Sequence, residues 1–470
     1  MDTMRDTGSW RDFRHHLGTA VVLAGGVLVG AVDIYLAASL LPTAVGDIGG
    51  ERLYAWNTTV LLIAQVVGTL LVSRLLGARG EIGAYLIGFG VFAVGSVVCA
   101  VSPTMPILLG GRGIQGLGAG LLTGLGFVAI HSALPRSLWT RGAALISAMF
   151  GVGNFVGPAL GGLFAQFGSW RGAFAALAGV AVLMGCCVPW ALPGRARPQA
   201  VSGVPVGSLA LVVGAAAAVS LAGVVGGMVV MVICVAAGGA LVAAFLLLER
   251  RSAQRILPAS AFRSDSPLRW IYLTIALLAA GVAVEMFLPL FAQRSAGVPP
   301  VIAGFFGAAL SLGWALSQII VAPVRSQRSI RRLRIAGPAL LALGLATLSL
   351  LQRDHVSPLL ATTWLPILLL AGTGIGIAMP HLTVAALTST ADAAEGRAAA
   401  AAIATVQTMA TAFGAAIAGL LVNLGAPDLV SSARTLLLGF TLLAALAIPT
   451  ALRANRPAHT TLRGDMVRAE

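Results

Sequence analysis

Residues 207–248 read GSLALVVGAAAAVSLAGVVGGMVVMVICVAAGGALVAAFLLL, forty-two positions without a charged side chain. One membrane crossing takes about 20 apolar residues at about 1.5 Å rise per residue, so this run is too long for one helix and suits two. Gly226 and Gly227 supply a turn near its middle, which predicts a helical hairpin. Apolar runs of crossing length continue on both sides. Six precede it, near 18–41, 54–76, 83–101, 106–130, 143–167 and 172–192, and six follow, near 269–292, 301–322, 335–351, 362–387, 398–424 and 433–452. The expected fold class is all-α integral membrane, with fourteen transmembrane helices.

Composition agrees with this expectation. The chain has 470 residues, 58% hydrophobic and 10% charged, whereas soluble domains carry roughly a quarter charged. In a soluble protein the net charge of +14 would suggest nucleic acid. Here its placement decides. All 30 basic residues are arginine, and with a cytoplasmic N-terminus 24 of them fall on the inside. Five fall outside (Arg52, Arg171, Arg294, Arg353 and Arg434), and Arg112 lies within a span. That asymmetry is the positive-inside pattern, so a multi-pass protein of the cytoplasmic membrane with both termini inside is expected, with no nucleic-acid partner.

The organisation expected is a cytoplasmic arm (1–17), a six-helix bundle (18–192), a linker (193–206), the hairpin (207–248), a second linker (249–268), a second six-helix bundle (269–452) and a cytoplasmic tail (453–470). The first apolar stretch is not a cleaved signal peptide, since it is too long, contains Asp33 and lacks a small-residue cleavage site. Cys99, Cys186, Cys187 and Cys234 all lie in apolar runs without ligand spacing, which fits small buried hydrophobes better than a disulfide framework or a metal site.

Three charged residues sit well inside the spans: Asp33, Arg112 and Glu285. Each costs about 2.5–3.5 kcal/mol at a helix centre on insertion scales, so each needs a partner, a wet cavity or a task. Asp33 lies eight residues before the outer end of the first span and Arg112 six from that of the fourth, placing both about 9–12 Å below the outer surface. An ion pair is therefore expected, and it serves either helix packing or proton exchange. Glu285, in AAGVAVEMFLPLF (279–291), has no basic residue at its depth. It is expected to be neutral at rest or to face a wet cavity, as a proton or cation site, or else to reach Arg294 at the rim. His381, after Pro380, is either a relay or a satisfied imidazole at a helix interface. Gln65 and Gln318 are candidates for the substrate cavity, and Asn57, Asn154, Gln407 and Asn423 serve as glue or lining.

Glycine is the other informative residue. In GVGNFVGPALGGLF (151–164), Gly153, Gly157 and Gly161 recur every fourth residue and so share one helix face, with Gly162 beside them. A neighbouring backbone can approach that face closely, while Pro158 removes a helical hydrogen bond and permits a bend. Static packing and gating are both compatible with this pattern.

These residues resemble a known family. GNFVGPALGG is similar to the antiporter motif of the major facilitator superfamily, and LLGGRGIQGLGAG (108–120) to its fourth-span motif, with Arg112, Gln115 and Gly116 in place. AVDIYLAASLLPTAVGDI (31–48), ERRSAQRILPASAFR (249–263) and FLPLFAQRSAGVPPVIAG (287–304) resemble the fourteen-span drug:proton antiporters within it, whose extra hairpin would be 207–248. The likeness spans about residues 18–452 and implies two pseudo-symmetric six-helix bundles that rock about a midplane cavity. It also implies that Arg112 lies in the proton-relay region, Asp33 on the cavity wall and the Gly/Pro helix at the bundle interface. The loop between the second and third spans departs from the family pattern. GTLLVSRLLGARGE (68–81) keeps Arg74, Gly77 and Arg79 of the cytoplasmic gate but lacks the acid that normally precedes them, and Glu81 comes too late. The matching second-half loop, APVRSQRSIRRLR (322–334), is basic and serves topology.

The function expected is a monomeric proton-coupled antiporter that exports an apolar or cationic small molecule by alternating access. Its proton coupling would rest on Asp33, Arg112 and Glu285. An alternative is an exporter of lipids or lipid-like metabolites with weak or no coupling, in which the hairpin screens a lateral opening; a third is a non-transporting membrane partner or sensor. An enzyme is not expected: without lysine no GxxxxGK[ST] motif can be completed, and no HExxH, GxSxG or cysteine-pair motif occurs. No cofactor or metal is expected, and the partners are substrate, protons and membrane lipids.

Overall fold

The computed structural model describes residues 17–133, 139–192, 206–225, 227–252, 257–263, 266–387 and 393–455. Among these residues the regular structure is all helical. The first half comprises α1 (Leu17–Ile48), α2 (Trp56–Ala100), α3 (Met105–Ala133), α4 (Trp139–Phe167) and α5 (Trp170–Ala191). The hairpin is α6 (Val206–Ala222) and α7 (Met228–Arg251), joined through Gly227 at φ 100°, while Gly226 lies outside the described residues. The second half comprises α8 (Leu268–Gly281), α9 (Leu288–Ala296), α10 (Pro300–Val321), α11 (Gln327–Leu350), α12 (Pro358–Thr362), α13 (Trp364–Leu387), α14 (Ala393–Gly425) and α15 (Leu429–Ala454).

Twelve described segments are long and apolar enough to cross a membrane, and α3 and α6 complete the expected fourteen. α6 has only 17 residues, and the hydropathy of α3 is diluted by glycines and Arg112. Large apolar side chains along α7, among them Val229, Ile233 and Leu247, are exposed, as a lipid-facing helix requires.

The second and third spans are both within α2. Where the sequence suggested a loop, the backbone stays helical on either side of Gly80, which alone departs, at φ 68° and ψ −178°. Gly68 on the first arm and Gly88 on the second both abut Leu121 of α3, so the chain reverses at this residue. A positive φ there suits glycine, and Arg74, Gly77 and Arg79 are carried exposed on the flanking helical turns.

The ninth span differs in the opposite sense. Instead of one helix it consists of α8, a tight 3-10 turn over Val282–Met286, and α9. Pro289 has no N–H to give the carbonyl of Glu285, four residues earlier, so the ladder breaks there. The carbonyl of Met286, one residue further on, accepts a hydrogen bond of 3.2 Å from the Tyr54 hydroxyl, and the Tyr54 ring stacks on Phe287 with centroids 4.9 Å apart. Unsatisfied carbonyls are costly in lipid, and here the opposite half satisfies one.

The halves meet along two seams: α1 and α4 against α10, and the first arm of α2 against α14, where α6 also packs. On α4, Gly153, Gly157 and Gly161 face the backbone of α1 between Ala31 and Leu36, within their own half. Gly162, one position on, faces Pro300 and Val301 at the start of α10, in the other half. Buried Pro158 lies between these contacts, its carbonyl against Gly304 of α10. The four-residue spacing thus docks α4 on α1, and the neighbouring glycine carries the seam.

Candidate functional site

Asp33 lies sixteen residues after the first residue of α1, a 32-residue helix that runs six residues past Pro42 to Ile48. It is therefore at mid-helix, farther from the helix's outer end than a span ending near residue 41 implied. The sequence places the charge correctly; the extra outer turns are polar enough to have been read as loop.

Arg112 of α3 meets it. Its Nη1 donates to Asp33 Oδ1 at 2.7 Å and Oδ2 at 2.8 Å, and to Gln115 Oε1 at 2.8 Å. Gln115, one helical turn on, donates through Nε2 to Asp33 Oδ1 at 3.3 Å and Ser96 Oγ at 2.8 Å, and Ser96 Oγ donates to the Phe92 carbonyl at 2.9 Å. Cys99 Sγ lies 3.5 Å from Gln115 Oε1, and the guanidinium carbon stands 5.9 Å from the Phe174 ring centroid. Both charged side chains are essentially inaccessible. Cys99 thus faces a polar group, which its apolar surroundings in sequence did not reveal.

The site is not saturated. Both side-chain amide atoms of buried Asn57 lack a partner, although its main-chain carbonyl lies 3.5 Å from Arg112 Nε. Removing one member of such a pair typically costs about 3–5 kcal/mol, because the other charge stays buried alone. A proton delivered to Asp33 does the same thing chemically: it removes the negative partner of Arg112 and forces the guanidinium to find other acceptors.

Glu285 is the second acid. It follows Leu268, the first residue of α8, by seventeen residues, the place in its half that Asp33 holds in the other. No arginine pairs with it among the described residues. Its Oε1 accepts the main-chain N–H of Ser311 at 2.6 Å, and Ser311 Oγ lies 3.3 Å from the Tyr35 hydroxyl. Tyr35 follows Asp33 by two residues and so leaves α1 on a different face, toward α10. Glu285 thus reaches the Tyr35 hydroxyl of α1 through Ser311, across the seam and two residues along the chain from Asp33. The rim alternative for Glu285 is not what the structure has, because Arg294 pairs with Glu51 at 2.8 Å.

The remaining candidates lie elsewhere. Gln65 is on the first arm of α2, where its backbone abuts Gly120 and its Oε1 has no partner. Gln318 is exposed near the end of α10. His381 is buried with Nε2 unpartnered, and its carbonyl accepts Arg334 Nη2 at 2.8 Å. None of the three joins Asp33 or Glu285 in a described hydrogen bond. Sequence reasoning missed Tyr35, Tyr54 and Ser311, whose contacts are with a hydroxyl or main-chain groups and leave no charge pattern to find.

Links between the halves gather at one end. Besides Tyr54 to Met286 and Glu51 to Arg294, Asn423 Nδ2 donates to the Arg52 carbonyl at 3.0 Å and Gln293 Nε2 to the Ser39 carbonyl at 3.5 Å. The Glu51–Arg294 pair is 67% and 40% exposed, so it contributes at most about 1 kcal/mol. Arg294→Ala should therefore raise the labelling rate of a cysteine at Leu290, which lines a cavity of about 570 Å³ beside this pair, by less than about fivefold. A larger rise would make this pair the main latch.

The comparisons with known proteins follow the same lines. The Major Facilitator Superfamily model matches residues 23–418, and the chain belongs to that family. It is 45% identical to a "probable multidrug-efflux transporter" of Mycobacterium tuberculosis, over 97% of this chain and 98% of that one. A multidrug transporter of Bacillus subtilis is 23% identical over 78% of this chain and 68% of its own. Among solved structures, a D-xylose-proton symporter superposes with a TM-score of 0.65 at 14% identity, covering 94% of this chain and 98% of that chain, which is a likeness of fold. The protein is a multi-pass membrane transporter of small molecules and not an enzyme.

Proposed function

We propose that this transporter exports apolar or cationic small molecules from the cytoplasm in exchange for protons. The observation that carries it is the pair of buried carboxyls at matching places in the two halves, Asp33 with an arginine and Glu285 with none described but reaching Tyr35 of α1 through Ser311. A proton or a cation arriving at either acid changes the charge balance at the seam. That gives the differential affinity between two facing states that coupled exchange requires. The relatives named for multidrug efflux support the substrate class.

In this reading both termini are cytoplasmic, the bundles 18–192 and 269–452 rock as units in a monomer, and the links from Glu51, Arg52 and Tyr54 close the outer side. The molecule is then in an inward-facing state. Arg74, Gly77 and Arg79, with buried Glu81 just past the turn, form the inner gate. Each proton admitted contributes about 2.3 kcal/mol per 100 mV of membrane potential, besides the pH gradient.

The test is substrate-induced proton release from inside-out vesicles, with a lipophilic dye cation as the probe. Wild type should release protons when the cation is added. Glu285→Gln, which keeps an acceptor for Ser311 N–H, should reduce release at least tenfold while the protein still assembles, the loss expected when an ionisable group at a coupling site is removed. If Glu285→Gln and Asp33→Asn both release protons as wild type does, the antiport mechanism is wrong.

A further inference from the structure

Asn57 is 1% exposed, and neither its Oδ1 nor its Nδ2 has a hydrogen-bond partner. Buried polar side chains are almost always satisfied, so an amide orphaned at both atoms calls for an occupant or for a second state of its surroundings. Its place in the packing narrows the choice. The first arm of α2 and α3 lie side by side in a constant register: Gly116 stands against the main chain of Leu61, and Gly120, one turn on, against that of Gln65. One turn earlier the same register sets Asn57 level with Arg112, and the Asn57 carbonyl does lie 3.5 Å from Arg112 Nε.

The guanidinium has few other places to go once Asp33 is neutral. The titratable groups that face it are Asp33 of α1 and Cys99 on the second arm of α2, and a thiol is a weak acceptor. Gln115 Oε1 already accepts from Nη1 at 2.8 Å, and α5 offers only the Phe174 ring, centred 5.9 Å away. Gln65, the other orphaned amide on this arm, lies two turns further along, about 12 Å at helical rise. The start of α2 is itself held: the Tyr54 hydroxyl bonds the Met286 carbonyl, and Trp56 Nε1 donates to the Ser220 carbonyl of α6 at 3.2 Å. The acceptor is therefore fixed, and it is the guanidinium that moves.

We infer that Asn57 is the acceptor that takes the Arg112 guanidinium when Asp33 is neutral. With Asp33 ionised, its amide waits unpaired. When a proton neutralises the carboxylate, Arg112 turns to the Asn57 side-chain oxygen, beside the main-chain carbonyl that it already approaches. Both ends of the amide are unengaged, so either orientation of it can present the oxygen. The new bond is charge-assisted, and it lets the neutral form of Asp33 exist without a stranded cation. Asn57 is thus a positioning residue that acts through Arg112, and the inference rests on the reading of Asp33 as a proton site.

The experiment is a cycle of melting temperatures in detergent on the full-length protein. Asn57→Leu alone should leave melting unchanged or raise it, because it removes two unsatisfied polar atoms. In the D33N background, where the guanidinium needs its second acceptor, the same substitution should lower melting by about 2–4 °C beyond D33N itself. A packing role would give one sign in both backgrounds, and an N57L effect of equal sign and size in the two overturns the proposal. D33N/N57D keeps the test open if D33N does not assemble: it returns a carboxylate to the place where the guanidinium is expected, so assembly and melting should recover, and a double variant no better than D33N overturns the proposal as well. In inside-out vesicles N57L should slow proton release driven by the dye cation by about tenfold, the loss of one hydrogen bond to a charged group, without changing the half-saturating cation concentration. An unchanged rate also overturns it. Melting requires no transport, so if wild type releases no protons the efflux reading fails while the reversal of sign still decides this inference.

Discussion

Asp33→Asn is expected to abolish substrate-driven proton exchange and to destabilise the folded protein by about 3–5 kcal/mol, the usual consequence of leaving a buried charge without its partner. The geometry explains both effects. Arg112 Nη1 places its hydrogen bonds on the two Asp33 oxygens and Gln115, and with no exposure it has no water to turn to. An asparagine keeps one acceptor but removes the charge. Arg112→Gln should destabilise by a similar amount from the other side. The informative variant is the double one, D33N/R112Q, in which neither side chain is ionised and two amides can bond each other. Buried pairs replaced as a unit are often neutral in stability. The double variant should therefore regain most of the lost thermal stability, measured as the melting temperature in detergent, and still fail to exchange protons. If it regains transport along with stability, the pair is packing and not mechanism. If neither single variant melts earlier than wild type, the pair contributes little to stability and the exchange argument has lost its physical basis.

How much of this was legible beforehand depends on the kind of interaction. Charged residues in apolar segments are rare enough that Asp33 and Arg112 could be paired from position alone, and the structure forms that pair. The four-residue spacing on α4 correctly marked a face for close backbone approach, because side-chain direction in a helix follows from sequence. Contacts with main-chain groups leave no such trace. Glu285 was expected to lack a basic partner and does so among the described residues, yet the N–H of Ser311 that it accepts could belong to any residue. Glu249, at the border of the hairpin and its linker, turns inward to Ser208 and Leu257, which depends on how α6 and α7 pack. The turn in α2 escaped for a related reason. One glycine at positive φ reverses the chain without the polar loop that sequence reading looks for, and the exposed arginines beside it imitate one. His381 and Gln318 were singled out on polarity, which does not say which face of a helix points at the site.

Gly162→Ala should open the closed end, and Gly161→Ala should not. The two residues are neighbours on α4, and an added methyl would strike backbone in both cases. At Gly161 it meets Leu36 of α1, Cα at 2.9 Å, within one half. At Gly162 it meets α10 in the other half, with the Val301 nitrogen at 2.8 Å and the Pro300 carbonyl at 2.9 Å. Relief in the first case needs helices of one bundle to shift, which costs the fold about 1–3 kcal/mol, as overpacking usually does. In the second the halves can simply separate, because rocking is the soft motion of this architecture. The same strain then appears as a change in population between facing states, and about 1–3 kcal/mol corresponds to between about five- and 150-fold. Maleimide labelling of a cysteine at Leu290, on a background lacking the four native cysteines, should accelerate by a factor in that range for Gly162→Ala, with little change in melting temperature. Gly161→Ala should lower the melting temperature and leave labelling near the wild-type rate. That shift is larger than the one expected on losing the Glu51–Arg294 pair, because steric overlap with backbone is not screened by water and an exposed ion pair is. Equal effects of the two glycine substitutions on labelling would mean that α4 moves with α10 and not with α1, and the division of the molecule at this seam would be wrong.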